Sequence, residues 1–197
     1  MPTINDTAQR ILEACRSVLL ADGYAALSTR KVATEAEVPL SQVHYHFGSK
    51  SGLVLALLEA EDRRRLARQT TMYSEDAPLW QRYEQACDFL EDDLESGYVR
   101  VLQEMIAVGW SVPSVAEKVR SMLTGWVDLL TEVADEAEVR FGSLGPFTAR
   151  ELASLVAITF IGGEAYLLLG FDRQRLPIRS ALRRFGQVIR QFEEAAA

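Results

Sequence analysis

The chain has 197 residues, a net charge of −7, 48% hydrophobic residues and 25% charged residues. This composition excludes collagen-like, mucin-like and wholly disordered chains, and the length favours one domain or two small ones. Two cysteines are too few for a disulfide scaffold and fit a reducing compartment. The first 72 residues are nearly neutral and the remainder carries almost all of the negative charge, which indicates two parts with different tasks.

The start of the chain, Met1–Arg10, is polar and unlike a signal or transit peptide, so we expect a cytoplasmic protein. The most apolar run, Leu152–Phe171, is about as long as a membrane span. Glu164 and several Ala and Gly residues interrupt that run. It therefore predicts a helix buried against a partner, and no membrane association.

Four helices are predicted in the first part of the chain. Ile11, Cys15 and Val18 recur at helical spacing, and Gly23 ends this first helix. Ser28 is a good N-cap for a short second helix. The predicted ranges are 6–22, 28–36, 41–47 and 51–72, with a turn at 37–39.

Five more helices are predicted after a linker at 74–78. Thr148 and Glu151 have the spacing of a capping box, and Pro177 stands where proline is tolerated at a helix start. No segment shows the alternation that is typical of a strand. The predicted ranges are 79–95, 99–109, 114–141 and 148–170, with a last helix after 177. The fold class is therefore all-α, with about nine helices.

Residues 28–50 predict a helix-turn-helix. Two short helices that cross steeply need a small residue at the crossing, which Ala33 supplies, and apolar inner faces, to which Val32 and Val43 contribute. This packing leaves the polar residues of the second helix on its outer face. Such side chains suit the base edges and phosphates of DNA, and the helix that carries them can lie in the major groove.

The same stretch carries a family resemblance. The matching residues are Ile11-Leu12, Ala14, Gly23-Tyr24, Ser28 to Ala33, Ala36 to Val38, Val43 to Lys50, and Leu53. With them, the first third of the chain resembles the TetR/AcrR family of bacterial transcriptional regulators. Two positions depart from the family pattern: Glu37 stands where glycine is usual, and His44 where tyrosine is frequent.

The resemblance implies an N-terminal three-helix DNA-binding domain, 1–50, and a C-terminal helical domain for effector binding and dimerisation, 51–197. It implies a regulator, most often a repressor, that binds a palindromic operator in double-stranded DNA as a homodimer and is released by a small-molecule inducer. No cofactor is expected. Base-edge contacts are expected from Ser41, Gln42 and His44, and phosphate contacts from Ser28, Thr29, Arg30, Tyr45, His46 and Lys50.

The resemblance also suggests roles for the C-terminal helices. The middle helices are rich in bulky side chains that either line an inducer cavity or are ordinary core residues. The last two helices carry apolar faces that either form a four-helix dimer interface or belong to the internal core. The candidate cavity residues are Trp80, Tyr83, Phe89, Glu104, Met105, Trp110, Met122, Trp126 and Tyr166. The candidate interface residues are Leu152, Leu155, Val156, Thr159, Phe160, Gly163, Phe185, Val188, Ile189 and Phe192.

Other functions have weaker support in the sequence. The sequence has no glycine-rich phosphate loop and no nucleophile elbow, so an enzyme is not expected. The two histidines, His44 and His46, project about 200° apart on a helix, so a metal site is not expected either. The alternative is a helical ligand-binding or protein-interaction module that does not bind DNA. Arg63-Arg64-Arg65 with Arg68 reads as a solvated, salt-bridged face rather than a DNA patch, and Cys15 and Cys87 read as buried structural thiols.

Overall fold

The computed structural model describes residues 4–172 and 174–196; residues 1–3, 173 and 197 lie outside this description. All regular structure in the described part of the chain is helical, which confirms the predicted all-α class and the count of about nine helices. The helices are α1 (Ile4–Ala26), α2 (Thr29–Glu35), α3 (Leu40–Phe47), α4 (Lys50–Tyr73), α5 (Leu79–Glu95), α6 (Tyr98–Gly109), α7 (Pro113–Phe141), α8 (Ala149–Leu168) and α9 (Ile178–Ala196).

Several helix ends lie where local sequence signals place them. The side chain of Ser28 caps α2 by accepting the N–H of Lys31. Thr148 and Glu151 form a reciprocal capping box at the start of α8. Gly23 interrupts α1 with non-helical backbone angles, φ +75° and ψ 170°. These ends depend on residues close in the chain, which is why the sequence predicts them well.

The chain forms two compact units. The first contains the chain up to Arg64 together with Gly97–Arg120, and the second contains Arg65–Ser96 and Ser121–Ala197. Helix α6 thus packs with the N-terminal helices, because its buried side chains, among them Val101 and Met105, join the core of the first unit. The functional division of the chain at residue 50 stays a prediction.

In the second unit, α5 and α9 run antiparallel and are joined by ion pairs along their length. Arg183 contacts Asp88 at 2.6 Å and Arg179 contacts Glu91 at 2.7 Å. Gly186 lies against the ring of Tyr83, where an added Cβ would come within 3.1 Å of a ring carbon. The glycine therefore permits the close approach of these two helices.

Helix α8 is long and apolar enough to cross a membrane by length and composition alone. A core helix of a globular protein passes the same test, so this feature is weak evidence for a span. Glu164 is one of its buried residues. Both cysteines are buried free thiols, as predicted, and burial raises the pKa of Cys15 to about 12 and that of Cys87 to about 11.

Candidate functional site

The outer face of α3 presents four polar side chains. Ser41, Gln42, His44 and Tyr45 are all exposed, and Tyr45 is 73% exposed, whereas Val43 is buried against the neighbouring helices. The structure therefore brings together on one surface the residues that the sequence assigned to base and phosphate contact. His46 is half-buried, and its ring lies edge-on to that of Tyr45 with 5.0 Å between ring centroids.

The turn between α2 and α3 sets the direction of this face. The N–H of Val38 donates to the carbonyl of Ala33, and the N–H of Glu37 donates to the carbonyl of Thr34, which is a Schellman helix ending. Glu37 adopts a left-handed conformation with φ +52°. The guanidinium of Arg10 donates to the carbonyl of Ala36 at 2.6 Å and holds this turn against α1.

Lys50 occupies a more enclosed position than the sequence predicts for a phosphate contact. Its ammonium donates to the carbonyl of Tyr24 at 2.7 Å and lies 4.0 Å from the centroid of the Tyr24 ring. Burial lowers the pKa of Lys50. The N–H of Tyr24 in turn donates to the carboxylate of Glu104 at 2.8 Å. Lys50 therefore joins the start of α4 to the kink of α1, and its ammonium has two further N–H donors besides the one that Tyr24 accepts.

The ends of α2 are also defined. Ser28 uses its hydroxyl as the N-cap of α2, Thr29 is half-buried, and Arg30 is exposed. Arg30 is the charged residue among these three, and its side chain is exposed to solvent. It adds a positive charge to a helix-turn-helix whose second helix, α3, carries mainly uncharged side chains.

The second unit contains an apolar cavity of about 440 Å³. Helices α5, α7, α8 and α9, the last residue of α4 and the loop at 143–147 form its walls. This volume lies in the range of small-molecule sites, and its few polar groups are those of Tyr73, Tyr83 and Ser143. Six predicted interface residues lie on its wall: Leu152, Val156, Phe185, Val188, Ile189 and Phe192.

Helices α8 and α9 also expose an apolar surface, which we call the α8/α9 face. On α8 its members Leu155 and Ile158 are three residues apart, and Tyr166 follows eight residues, about two helical turns, later. Its α9 members, Phe185, Val188 and Phe192, are among the residues that the sequence predicts for an interface. A groove of about 630 Å³ runs along part of it. The exposed members are Leu155, Ile158, Tyr166, Leu169, Phe185, Val188 and Phe192.

Comparisons with known proteins agree with this geometry. Residues 11–57 match the model of the tetR family of bacterial regulatory proteins. A protein of Xanthobacter autotrophicus, described as an HTH-type transcriptional regulator in the dhlA 5′ region, is 28% identical over 165 residues, which are 80% of this chain and 75% of that protein. The N-terminal part of the chain, residues 11–57, is therefore that of a tetR-family bacterial regulatory protein.

Two solved structures share the fold of this chain. The regulator FadR of Bacillus subtilis, in complex with stearoyl-CoA, superposes with a TM-score of 0.74 and 15% identity, covering 92% of this chain and 96% of the other. A transcriptional regulator of Saccharomonospora viridis in complex with choline gives a TM-score of 0.76 and 19% identity, covering 96% of each chain. At these identities the likeness shows the fold alone.

Several residues predicted for the cavity of the regulator lie elsewhere. Trp110 is 82% exposed, because it follows α6 and lies off the face that buries Val101 and Met105. Met105 is a core residue of the first unit, and Glu104 holds the backbone of Tyr24. None of these three residues lines the 440 Å³ cavity, because α6 packs in the first unit.

The other predicted cavity residues are spread over the second unit. Tyr83 lines the large cavity, and Phe89 and Trp126 line a small chamber beside it. Tyr166 lies on the α8/α9 face. Met122 is buried in the core, and Trp80 lies under the guanidinium of Arg190 at 4.9 Å. The bulky residues thus divide between a site and ordinary core positions.

The predicted interface residues of α8 differ in exposure. Phe160 is buried against Trp126, and Gly163 is buried where an added Cβ would approach Ile178 within 3.1 Å, although both line the groove along the α8/α9 face. The exposed Ile158 was missed. Helix α8 is apolar on most sides, so its periodicity does not distinguish the inner face from the outer. Leu155 and Thr159 are exposed as the prediction requires.

Proposed function

We propose that this regulator binds a palindromic DNA operator as a homodimer in the cytoplasm and is released by a small-molecule inducer, which makes it a repressor. The observation that carries the DNA-binding part is the outer face of α3. There Ser41, Gln42 and His44 offer hydrogen-bonding groups at the spacing of one helix face, beside the exposed ring of Tyr45. Repression is the commoner mode in the family that the sequence resembles.

The α8/α9 face supports the homodimer. Exposed apolar side chains rarely form a continuous surface on a monomeric protein, and here they follow two adjacent helices. A second copy related by a two-fold axis presents the same surface. The dimer then carries two helix-turn-helix units, residues 28–50 of each copy, which we call the reading heads and which match the two half-sites of a palindrome. We therefore assign the α8/α9 face to dimerisation.

The apolar cavity supports the inducer. The structural relatives in complex with stearoyl-CoA and with choline bind unlike ligands, so the fold leaves the ligand open. Helix α4 begins at Lys50, beside the reading head, and its last residue, Tyr73, lines the cavity. An inducer that prefers a conformation in which α4 is displaced lowers DNA affinity, and DNA lowers inducer affinity by the same factor.

A gel-shift experiment with DNA from the promoter region of the gene that encodes the protein, at a series of salt concentrations, tests DNA binding. Steep weakening with salt is expected because phosphate contacts release counterions. Tyr45→Ala should weaken binding to all sequences, whereas Gln42→Ala should change the preferred base pair. Val139→Ala, at an 85% exposed position of α7, is the matched control and should change neither. Absence of binding at low salt would favour the interaction-module alternative.

Sedimentation equilibrium tests the dimer independently. Ile158→Asp introduces a charge at a 67% exposed position of the α8/α9 face and should give a monomer that binds the operator weakly. Val139→Asp introduces the same charge on α7 and should remain dimeric. A dimer that survives Ile158→Asp unchanged would place the interface elsewhere.

A further inference from the structure

A small chamber of about 20 Å³ lies within the second unit, beside the large cavity. Tyr73, Leu130 and Val156 belong to the walls of both spaces, so the two adjoin. A volume of this size holds about one water-sized group. The chamber thus suits a single polar atom with its hydrogen, at the end of an apolar body that fills the larger cavity.

Two uncharged side chains on the chamber wall present unmatched hydrogen-bonding atoms. Gln69 is 6% exposed and Trp126 is 4% exposed. Among the described residues, neither the Oε1 atom of Gln69 nor the Nε1 atom of Trp126 has a hydrogen-bond partner. Buried polar atoms are nearly always paired, and leaving one unpaired is destabilising. The amide oxygen needs a donor and the indole N–H needs an acceptor, and a hydroxyl group is both.

The charges around the chamber are already balanced. Arg65 and Glu164 are buried on its wall with opposite charges, and Arg68 pairs with Asp93 at 2.7 Å. Burial raises the pKa of Asp93, and the Arg68 guanidinium opposes that shift. A ligand that brought a carboxylate or an ammonium group into this chamber would add an uncompensated buried charge. An uncharged polar group avoids that cost.

We propose that the inducer is an uncharged, largely apolar alcohol. Its hydroxyl donates to Oε1 of Gln69 and accepts from Nε1 of Trp126 in the chamber, and its hydrocarbon part lies in the 440 Å³ cavity. This inference rests on the proposed ligand-responsive function and specifies the chemistry of its ligand.

Calorimetric titration of the full chain, without DNA, tests the proposal with four probes of similar size. These are 1-octanol, its isomer heptyl methyl ether, octanoate and octylammonium. The ether accepts a hydrogen bond but donates none. We expect 1-octanol to bind about tenfold more tightly than the ether, since one hydrogen bond is lost, and the two ions to bind least.

The variants separate the two hydrogen bonds. Gln69→Leu should lower the affinity for 1-octanol to that for the ether and leave the affinity for the ether unchanged. Trp126→Phe should lower the affinity for both oxygen ligands about tenfold. Trp110→Phe, at an exposed tryptophan, is the control and should change nothing. Circular dichroism melting of each variant checks that it is folded.

Three results would overturn the proposal and assign the chamber to a water molecule. In the first, 1-octanol and its ether isomer bind with equal affinity; in the second, octanoate binds more tightly than 1-octanol. In the third, the affinity for 1-octanol is unchanged in both the Gln69→Leu and the Trp126→Phe variant. Failure of 1-octanol to bind the wild-type protein below about 1 mM would also overturn it. If 1-octanol binds through Gln69 and Trp126 but leaves operator affinity unchanged in a gel shift, the ligand assignment stands and the proposed release from DNA fails.

Discussion

The helix-turn-helix and the cavity unit are held in shape by different kinds of residue. In the unit that contains the reading head, the critical residues have a restricted backbone conformation. Glu37 and Gly48 have positive φ, and so does Gly97, which lies against Leu20. In the cavity unit, the critical residues are buried ionic side chains such as Arg82 and Glu164. Local backbone restrictions orient a recognition surface, whereas buried polar side chains such as Arg82 join helices that are distant in the chain.

The largest effect is expected at Arg82 in the cavity unit. Its side chain is 2% exposed and donates to the carbonyl of Tyr73 and to the carboxylate of Glu136, each at 2.6 Å. Arg82→Ala should lower the free energy of unfolding by about 3 kcal/mol, measured by urea denaturation, because the Tyr73 carbonyl loses a donor and Glu136 keeps only its pair with Arg140. Arg183→Ala removes an exposed pair with Asp88 and should cost less than about 1 kcal/mol. Equal losses would mean that burial of the ion pair is irrelevant.

A backbone substitution in the first unit should have a smaller effect. Gly97 has φ +80°, and an added Cβ would lie 2.8 Å from a methyl group of Leu20. Gly97→Ala should therefore lower the free energy of unfolding by about 2 kcal/mol. The control is Gly125→Ala, inside α7 with open space around it, which should raise that free energy by up to about 1 kcal/mol. Two changes of the same sign would contradict the role of φ.

The turn of the reading head offers a gain in stability. Glu37 pays the steric cost of φ +52° because it has a Cβ. Glu37→Gly should raise the free energy of unfolding by about 1 kcal/mol, and Glu37→Ala should leave it nearly unchanged, since alanine keeps the Cβ. Thermal melting of the three proteins measures this. A gain with alanine as large as that with glycine would assign the effect to the carboxylate.

The smallest effect is a pH dependence in the cavity unit. A hydrogen bond from Arg82, stronger than the opposing effect of burial, holds the pKa of Glu136 below its ordinary value of 4.5. As pH falls, Glu136 is therefore protonated in the unfolded state before it is protonated in the folded state. Its contribution to the free energy of unfolding is present above pH 4.5 and is lost as pH falls through the folded-state pKa. In urea denaturation between about pH 5 and pH 3, Glu136→Gln should show a weaker loss of stability than the wild type. Glu138→Gln, exposed on the same helix, should follow the wild type.

The sequence alone determined the helical class, most helix ends and the outer face of α3. These features depend on residues within one or two helical turns of each other. Ser28 caps its own helix, and the helical period places the apolar Val43 on the inner face of α3 and the polar Gln42 and His44 on its outer face. The resemblance to TetR/AcrR regulators rests on the same short stretch, and for the same reason it could be read without a structure.

Only the tertiary structure decided which aromatic and charged residues pack together in the second unit. Arg65 and Arg68 belong to an arginine-rich run that predicts a solvated face, yet Arg65 lies 4.7 Å from the ring of Trp126, and Arg68 lies 4.1 Å from that of Phe89. These partners are distant in the chain, so no local pattern pairs them. Helix α8 shows the same limit, since an almost uniformly apolar helix acquires an inner and an outer face only when its neighbours pack against it.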